Sequence, residues 1–215
     1  MHRAGRYLLA WKGVPWTCGS LVLILGALAL VFLTGNRSIE IAIIQEGFGA
    51  DITHGPPRAA VQLVEYADFQ CPACASYSSI LASLRTEYKG DVLFVFRFFP
   101  LRNHRFAMAS AQAAYAAFLQ GHFWEMHDML YEKQEEWSNS DDPYSYFASY
   151  AIRLELDISK FSDDFSAQST IDFITRQKAV AQSVGVDHTP TFVLNGAAVA
   201  PRDYDEFHDL IEVLP

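Results

Sequence analysis

Two cysteines three positions apart, Cys71 and Cys74 in "DFQCPAC" (68–74), are the residues whose type and spacing most directly suggest chemistry. At this spacing two sulfurs can close a small disulfide ring and reopen it, which is thiol–disulfide exchange. A ring around two intervening residues restrains an unfolded chain little, because cross-link stabilisation grows with loop length. Redox chemistry is therefore a better reason for the pair than stability. Zinc is the rival chemistry, since Cys-x-x-Cys is half of a metal site. His104, His122 and His127 are the candidate completing ligands, but there is no second Cys-x-x-Cys and no compact histidine pair. No metal and no other cofactor is expected.

The elements around the pair are legible from periodicity. "AAVQLVEYADF" (59–69) is rich in Val, Leu, Tyr and Phe and reads as a buried strand running into the cysteines. "CPACASYSSILASLRTEYKG" then has helical spacing in Tyr77, Ile80, Leu81, Leu84 and Tyr88, closed by Gly90. "DVLFVFRFFPL" is a second apolar strand stopped by Pro100. Strand, helix and strand with short links form a βαβ unit, whose strands pair in parallel through a right-handed crossover. The cysteines thus fall at the first strand-to-helix turn.

From 103 to about 185 the chain turns helical. Two helices broken near Gly121 run to about Trp137, a further one follows the polar turn at 138–142, and a short one covers Ile158 to Phe165. The last begins with Ser169 as its cap and ends near Gly185. "TPTFVLNG" (189–196) is again a strand, with Asn195-Gly196 as a hairpin turn signal, "AAVA" as its partner and "RDYDEFHDLIEVL" as a closing amphipathic helix.

The N-terminal part has a different character. No charged residue lies between Gly13 and Asn36, and the apolar stretch is long enough to cross a hydrocarbon core of about 30 Å as a helix. Residues 1–12 then form a cytoplasmic tail, 13–36 a transmembrane anchor, 37–57 a juxtamembrane linker and 58–215 the catalytic domain. A cleaved signal peptide is the rival, with Ala27-Leu28-Ala29 as a small-x-small site, but that site sits inside the apolar run. Cys18 precedes the run, so it is no lipoprotein cysteine. Arg3, Arg6 and Lys12 flank the span without any acid, which holds the N-terminus in the cytoplasm and exports the rest. Of 16 Lys and Arg, the 13 outside the tail face all 25 Asp and Glu, a formal charge of −12 for the exported part. Nucleic acid is an unfavourable partner for such a charge.

Three segments in order, "VEYADFQCPAC", "AMASAQAAYAAFLQGHFWEMHDML" and "VDHTPTFVLNG", resemble the DsbA branch of exported thiol-disulfide oxidoreductases, in its membrane-tethered form. The resemblance implies an α/β thioredoxin fold with an inserted helical subdomain. It implies that Cys71 is the exposed, attacking or attacked sulfur at the helix N-terminus and Cys74 the resolving one, with Pro72 and Ala73 between them. It makes the Thr189–Pro190 bond cis, set against the disulfide, with the Thr189 backbone pairing with an extended substrate. It matches Glu65 to a buried acid that moves protons to and from the second cysteine. Asp68 also recurs in relatives, though entry into the helix explains it as well.

Two departures bear on redox strength. Strongly oxidising relatives carry a histidine between the cysteines, where this chain has Ala73, so a weaker oxidant is expected. His188 stands where relatives have glycine; protonated near Cys71 it would stabilise the thiolate, and the alternative is a solvated loop histidine. Phe69, Gln70 and the aromatics of "FWEMHDMLY" are candidates for a substrate groove or, at helical spacing, for core.

The function expected is disulfide formation in exported proteins, with a membrane partner of DsbB or vitamin K epoxide reductase type taking the electrons. A reductase or isomerase fed by a membrane electron carrier, and a tethered chaperone or binding module with a structural disulfide, are the alternatives.

Overall fold

The computed structural model describes residues 52–214. The tail, the apolar run and most of the linker lie outside the described residues. Among those described, no helix is long and apolar enough to cross a membrane.

The centre is a five-stranded sheet in the order β1-β3-β2-β4-β5. Strand β2 (Val61–Ala67), helix α1 (Pro72–Glu87) and strand β3 (Val92–Phe98) form the βαβ unit, with β2 and β3 parallel. Strand β4 (Thr191–Leu194) pairs antiparallel with β2, and β5 (Ala197–Val199) pairs antiparallel with β4. Period-2 alternation sends the two sheet faces to different cores. Leu63, Phe94 and Phe192 meet Leu81 and Leu84 of α1 and Phe207 of the last helix, α8 (Tyr204–Glu212). Val64, Tyr66, Val95 and Val193 meet Ala181 and Val186 on the other side.

Six helices run between β3 and β4: α2 (Ala107–Phe118), α3 (Phe123–Glu132), α4 (Gln134–Ser138), α5 (Pro143–Arg153), α6 (Ile158–Ser166) and α7 (Gln168–Ser183). Helix α2 buries Ala111, Ala113, Ala114, Ala116 and Ala117, and such small side chains let α3, α6 and α7 approach it closely. Phe96 and Phe98 enter the same core from β3 and Phe69 from the cysteine turn itself, so the helical layer is packed directly behind that turn.

Three details differ from the sequence expectation. Ile52–His54, assigned to the linker, is a strand, β1, paired antiparallel with β3. Three residues are too few to display an alternating pattern, and the strand is held by tertiary contacts: Ile52 is buried, and the Trp124 indole donates to the Thr53 carbonyl at 3.1 Å. The helix expected to run to Trp137 breaks at Lys133, because α4 turns aside to bury Trp137, whose indole donates to the Leu130 carbonyl at 2.8 Å. Helix α7 is capped at Ala167 rather than Ser169. Ala167 also ends α6, and the Thr170 hydroxyl donates to the Asp164 carbonyl at 2.7 Å, so the two helices share one joint.

Candidate redox site

Cys71 is the N-cap of α1, with extended backbone (φ −75°, ψ 120°), and Pro72 takes the first helical turn, where a missing N–H costs nothing. The Cys71 N–H donates to the Asp68 carbonyl at 3.0 Å, and the Cys71 carbonyl accepts from Ala75 N–H at 3.1 Å. Both thiols are unjoined and buried, Cys71 at 6% exposure and Cys74 at 0%. Burial on this scale leaves Cys71 a small window to solvent and Cys74 none.

The two sulfurs titrate far apart. Cys71 is held down to about 5: the Cys74 thiol donates to it, partial burial opposes this, and the Thr189 side chain and the backbone N–H groups of Cys74 and Ala73 favour the thiolate further. The Thr189 hydroxyl is buried and unpartnered among the described residues. In the thiol form Cys71 Sγ donates to the Thr189 carbonyl at 3.5 Å, and the Thr189–Pro190 bond is cis. Cys74 is pushed far above an ordinary thiol by burial, by donation to Cys71 and by the Glu65 charge. One thiol is therefore a ready nucleophile and the other holds its proton.

Glu65 lies on β2 between Phe96 and Phe192 of the neighbouring strands, facing α1. Its carboxyl is buried with Oε1 unpartnered among the described residues, and burial raises it to about 8 against the pull of Arg85. Arg85 comes from the last turn of α1. It donates to Asp128 Oδ1 at 2.7 Å and lies over the Trp124 ring at 4.4 Å, so α3 anchors the cation that acts on Glu65.

Asp68 ties the cysteine turn to the segment after β3. Its carboxylate accepts from Gln70 N–H at 2.7 Å, from Leu101 N–H at 2.8 Å and pairs with His104 Nδ1 at 2.8 Å. Gln134, from the helical layer, donates from Nε2 to the Phe69 carbonyl at 2.7 Å and the Cys71 carbonyl at 3.0 Å. Neither Gln134 nor Arg85 and Asp128 was singled out from the sequence. They carry no motif, and their partners lie 43 to 65 positions away.

Cys71, Cys74, Pro72, Ala73, Glu65, Thr189 and Pro190 are thus brought together at the C-terminal end of β2. His188 is set apart from them: it is exposed and its Nδ1 pairs with Asp187 at 2.7 Å. Phe69, Phe123, Met126, His127, Leu130 and Tyr131 are buried and form core rather than a groove. His104 is bound to Asp68, His127 to Asp128, and His122 lies 4.0 Å from Glu125. Among the described residues no group of three or more His, Cys, Asp or Glu is arranged to hold a metal.

The chain is 38% identical over 147 residues to a protein named Na(+)/H(+) antiporter NhaA 3 from Salinispora tropica, a match covering 68% of this chain. The chain spans only 22% of that protein's length. Its fold is similar to Wolbachia pipientis alpha-DsbA1 (TM-score 0.71, 19% identity, 80% of this chain and 94% of that one). It is also similar to oxidised BdbD from Bacillus subtilis (TM-score 0.67, 22% identity, 76% and 91%). A family model described as Thioredoxin matches residues 48–213, and with the cysteine pair, the cis-proline and the DsbA-like helical layer in place, the chain belongs to the thioredoxin family.

Proposed function

We propose that the chain is a thiol-disulfide oxidoreductase that forms disulfides in exported proteins while anchored to the membrane by residues 13–36. The observation that carries this is the separation of the two thiols, Cys71 held at about 5 and Cys74 far above the ordinary range. Stabilising the thiolate stabilises the reduced pair, and a pair with a stabilised reduced form is the stronger oxidant. The attacking cysteine titrates near pH ~7 in thioredoxin and ~3.5 in DsbA. A value of about 5 supports an oxidant between them, in keeping with Ala73 in place of a histidine.

In the forward reaction a substrate thiolate attacks Cys71 of the oxidised pair. The S–S bond breaks, Cys74 leaves as a thiolate, and its high pKa demands a proton. Glu65, protonated up to about pH 8 and close enough for its charge to act on Cys74, supplies it. The substrate's second thiolate then attacks its own sulfur in the mixed disulfide, and Cys71 departs as a stable thiolate. The substrate has lost two electrons to the enzyme. A membrane partner of DsbB or vitamin K epoxide reductase type is the class of protein that would take them on. The basic tail and apolar run support the tether.

The test is the equilibrium reduction potential of the Cys71–Cys74 pair in the full chain, titrated against glutathione and dithiothreitol. A value well above about −270 mV, that of thioredoxin, supports the oxidase. A value near or below it favours a reductase or isomerase fed by a membrane electron carrier. Failure to exchange, with Cys71→Ser still binding unfolded protein, leaves a binding module.

A further inference from the structure

The charged surface beside the redox turn runs against the charge of the molecule. The chain carries 25 acidic and 16 basic side chains. Yet an open cavity of about 520 Å³ between the segment after β3 and helix α7 is lined by Arg102, His104, Arg105 and Lys178, together with Thr175 and Gln182, and by no carboxylate. Arg105 has a loose 3.6 Å contact with the fully exposed Asp141 and lies 4.6 Å from the Phe106 ring centroid. Neither Arg102 nor Lys178 forms an ion pair among the described residues. Lys178 is fixed in place, donating to the Pro100 carbonyl and lying 5.5 Å from the Phe99 ring centroid. Burial and then the neighbouring Arg102 hold it below an ordinary lysine, against the pull of the buried Asp68 carboxylate. Asp68 offsets part of the mutual repulsion of these cations from within, and a bound anion would relieve the rest.

The cavity is connected to the cysteines. Its His104 and Leu101 both bind the Asp68 carboxylate at 2.8 Å, and Asp68 accepts the Cys71 N–H through its own carbonyl at 3.0 Å. We propose that this cavity is a docking groove for carboxylate side chains of the protein partner whose cysteine meets Cys71, so that acidic segments a few residues from the reacting cysteine are preferred. The inference rests on the thiol-exchange reading for its biological meaning. An extended chain advances about 3.3 Å per residue, so side chains three to six positions from the cysteine sample roughly 10 to 20 Å from Cys71. Arginine suits carboxylates through paired parallel hydrogen bonds. Repulsion from the molecule's net charge does not prevent docking, since at physiological salt it is screened beyond about 8 Å, whereas the groove acts at contact.

The experiment uses the full chain and two sets of extended peptides, one with glutamates three to six positions from a central residue and one with glutamines there. With serine at the centre, binding is followed by fluorescence anisotropy; with cysteine, thiol exchange is followed by stopped flow. The groove predicts at least tenfold tighter binding of the glutamate serine peptide, lost in 0.5 M salt and reduced to within twofold in Arg102→Gln/Arg105→Gln. Lys178→Met, at the opposite wall, reduces it independently. Equal binding of both serine peptides, or a preference that survives both variants, overturns the proposal. Displacement of the glutamate peptide by millimolar inorganic phosphate without any glutamate preference overturns it too, in favour of a free-anion site. If the serine peptides discriminate but no cysteine peptide exchanges, the groove stands and the redox reading fails.

Discussion

The side-chain amide of Gln134 donates to the carbonyl of Cys71 at 3.0 Å, from a helix 63 positions further along the chain. The same amide holds the Phe69 carbonyl at 2.7 Å, so the helical layer grips the cysteine turn by its backbone. The backbone N–H groups of Ala73 and Cys74 that favour the Cys71 thiolate lie in the first turn of α1, immediately after the gripped carbonyl.

Gln134→Leu therefore removes two buried hydrogen bonds and leaves two carbonyls without that donor. A loss of about 1–3 kcal/mol in unfolding free energy is expected. A merely structural role would stop there. The positioning role also predicts that the Cys71 titration, read from thiolate absorbance at 240 nm, moves upward from about 5.

In the native protein that titration should show one step near pH 5, because Cys74 keeps its proton throughout the range. Alkylation of reduced protein by iodoacetamide should be flat above about pH 6 and fall roughly tenfold per pH unit well below 5, following the thiolate fraction. Modification of Cys74, or a midpoint near 8, would contradict the assignment of roles.

Glu65 links pH to stability. Its carboxyl titrates at about 8 folded against an ordinary 4.5, so between these values the folded state holds a proton that the unfolded state has released. Stability from this group is fully present below pH 4.5 and declines as pH rises towards 8, by up to about 1.4 kcal/mol per pH unit. Cys71, depressed from 9 to about 5, contributes a slope of opposite sign over the same range, so the Glu65 contribution is read as a difference: in urea unfolding across pH 5–8 the native protein should lose up to about 1.4 kcal/mol per pH unit relative to Glu65→Gln.

Arg85→Met should move the upper end of that window further up, since Arg85 is the cation that pulls Glu65 down. The same variant removes the 2.7 Å bond to half-exposed Asp128 and the stacking on Trp124, so a modest loss of stability accompanies it. The two effects separate in the pH profile: the loss is present at every pH, whereas the shift of Glu65 shows only as pH approaches and passes about 8.

Gly55, just after β1, has φ +102°, and a Cβ there would lie 2.1 Å from the Val92 carbonyl oxygen. Gly55→Ala should destabilise the domain by several kcal/mol or displace β1, because both the backbone conformation and the space refuse a side chain. Hydrogen exchange of the β1 and β3 amides would locate the damage.

Much of this protein is written in local pattern. The Val, Leu, Tyr and Phe enrichment of 59–69, the three-four spacing after Cys71 and the Asn195-Gly196 turn each depend on neighbours in sequence, so β2, α1, β3, β4 and β5 are legible without a structure. The cysteine pair and its place at a helix N-terminus follow from the same patterns. What the tertiary structure alone decided is what surrounds the pair. Three-residue β1 exists because β3 and Trp124 hold it, and Ala167 displaces Ser169 as a cap because α6 ends there. His188, next in sequence to Thr189-Pro190, is turned to solvent, while Gln134 and Arg85 reach the cysteine turn and Glu65 from distant elements. Chemistry at Cys71 was readable because it depends on residue type and spacing. Its tuning depends on burial and through-space charge, which exist only once β2, α1 and the helical layer have packed together.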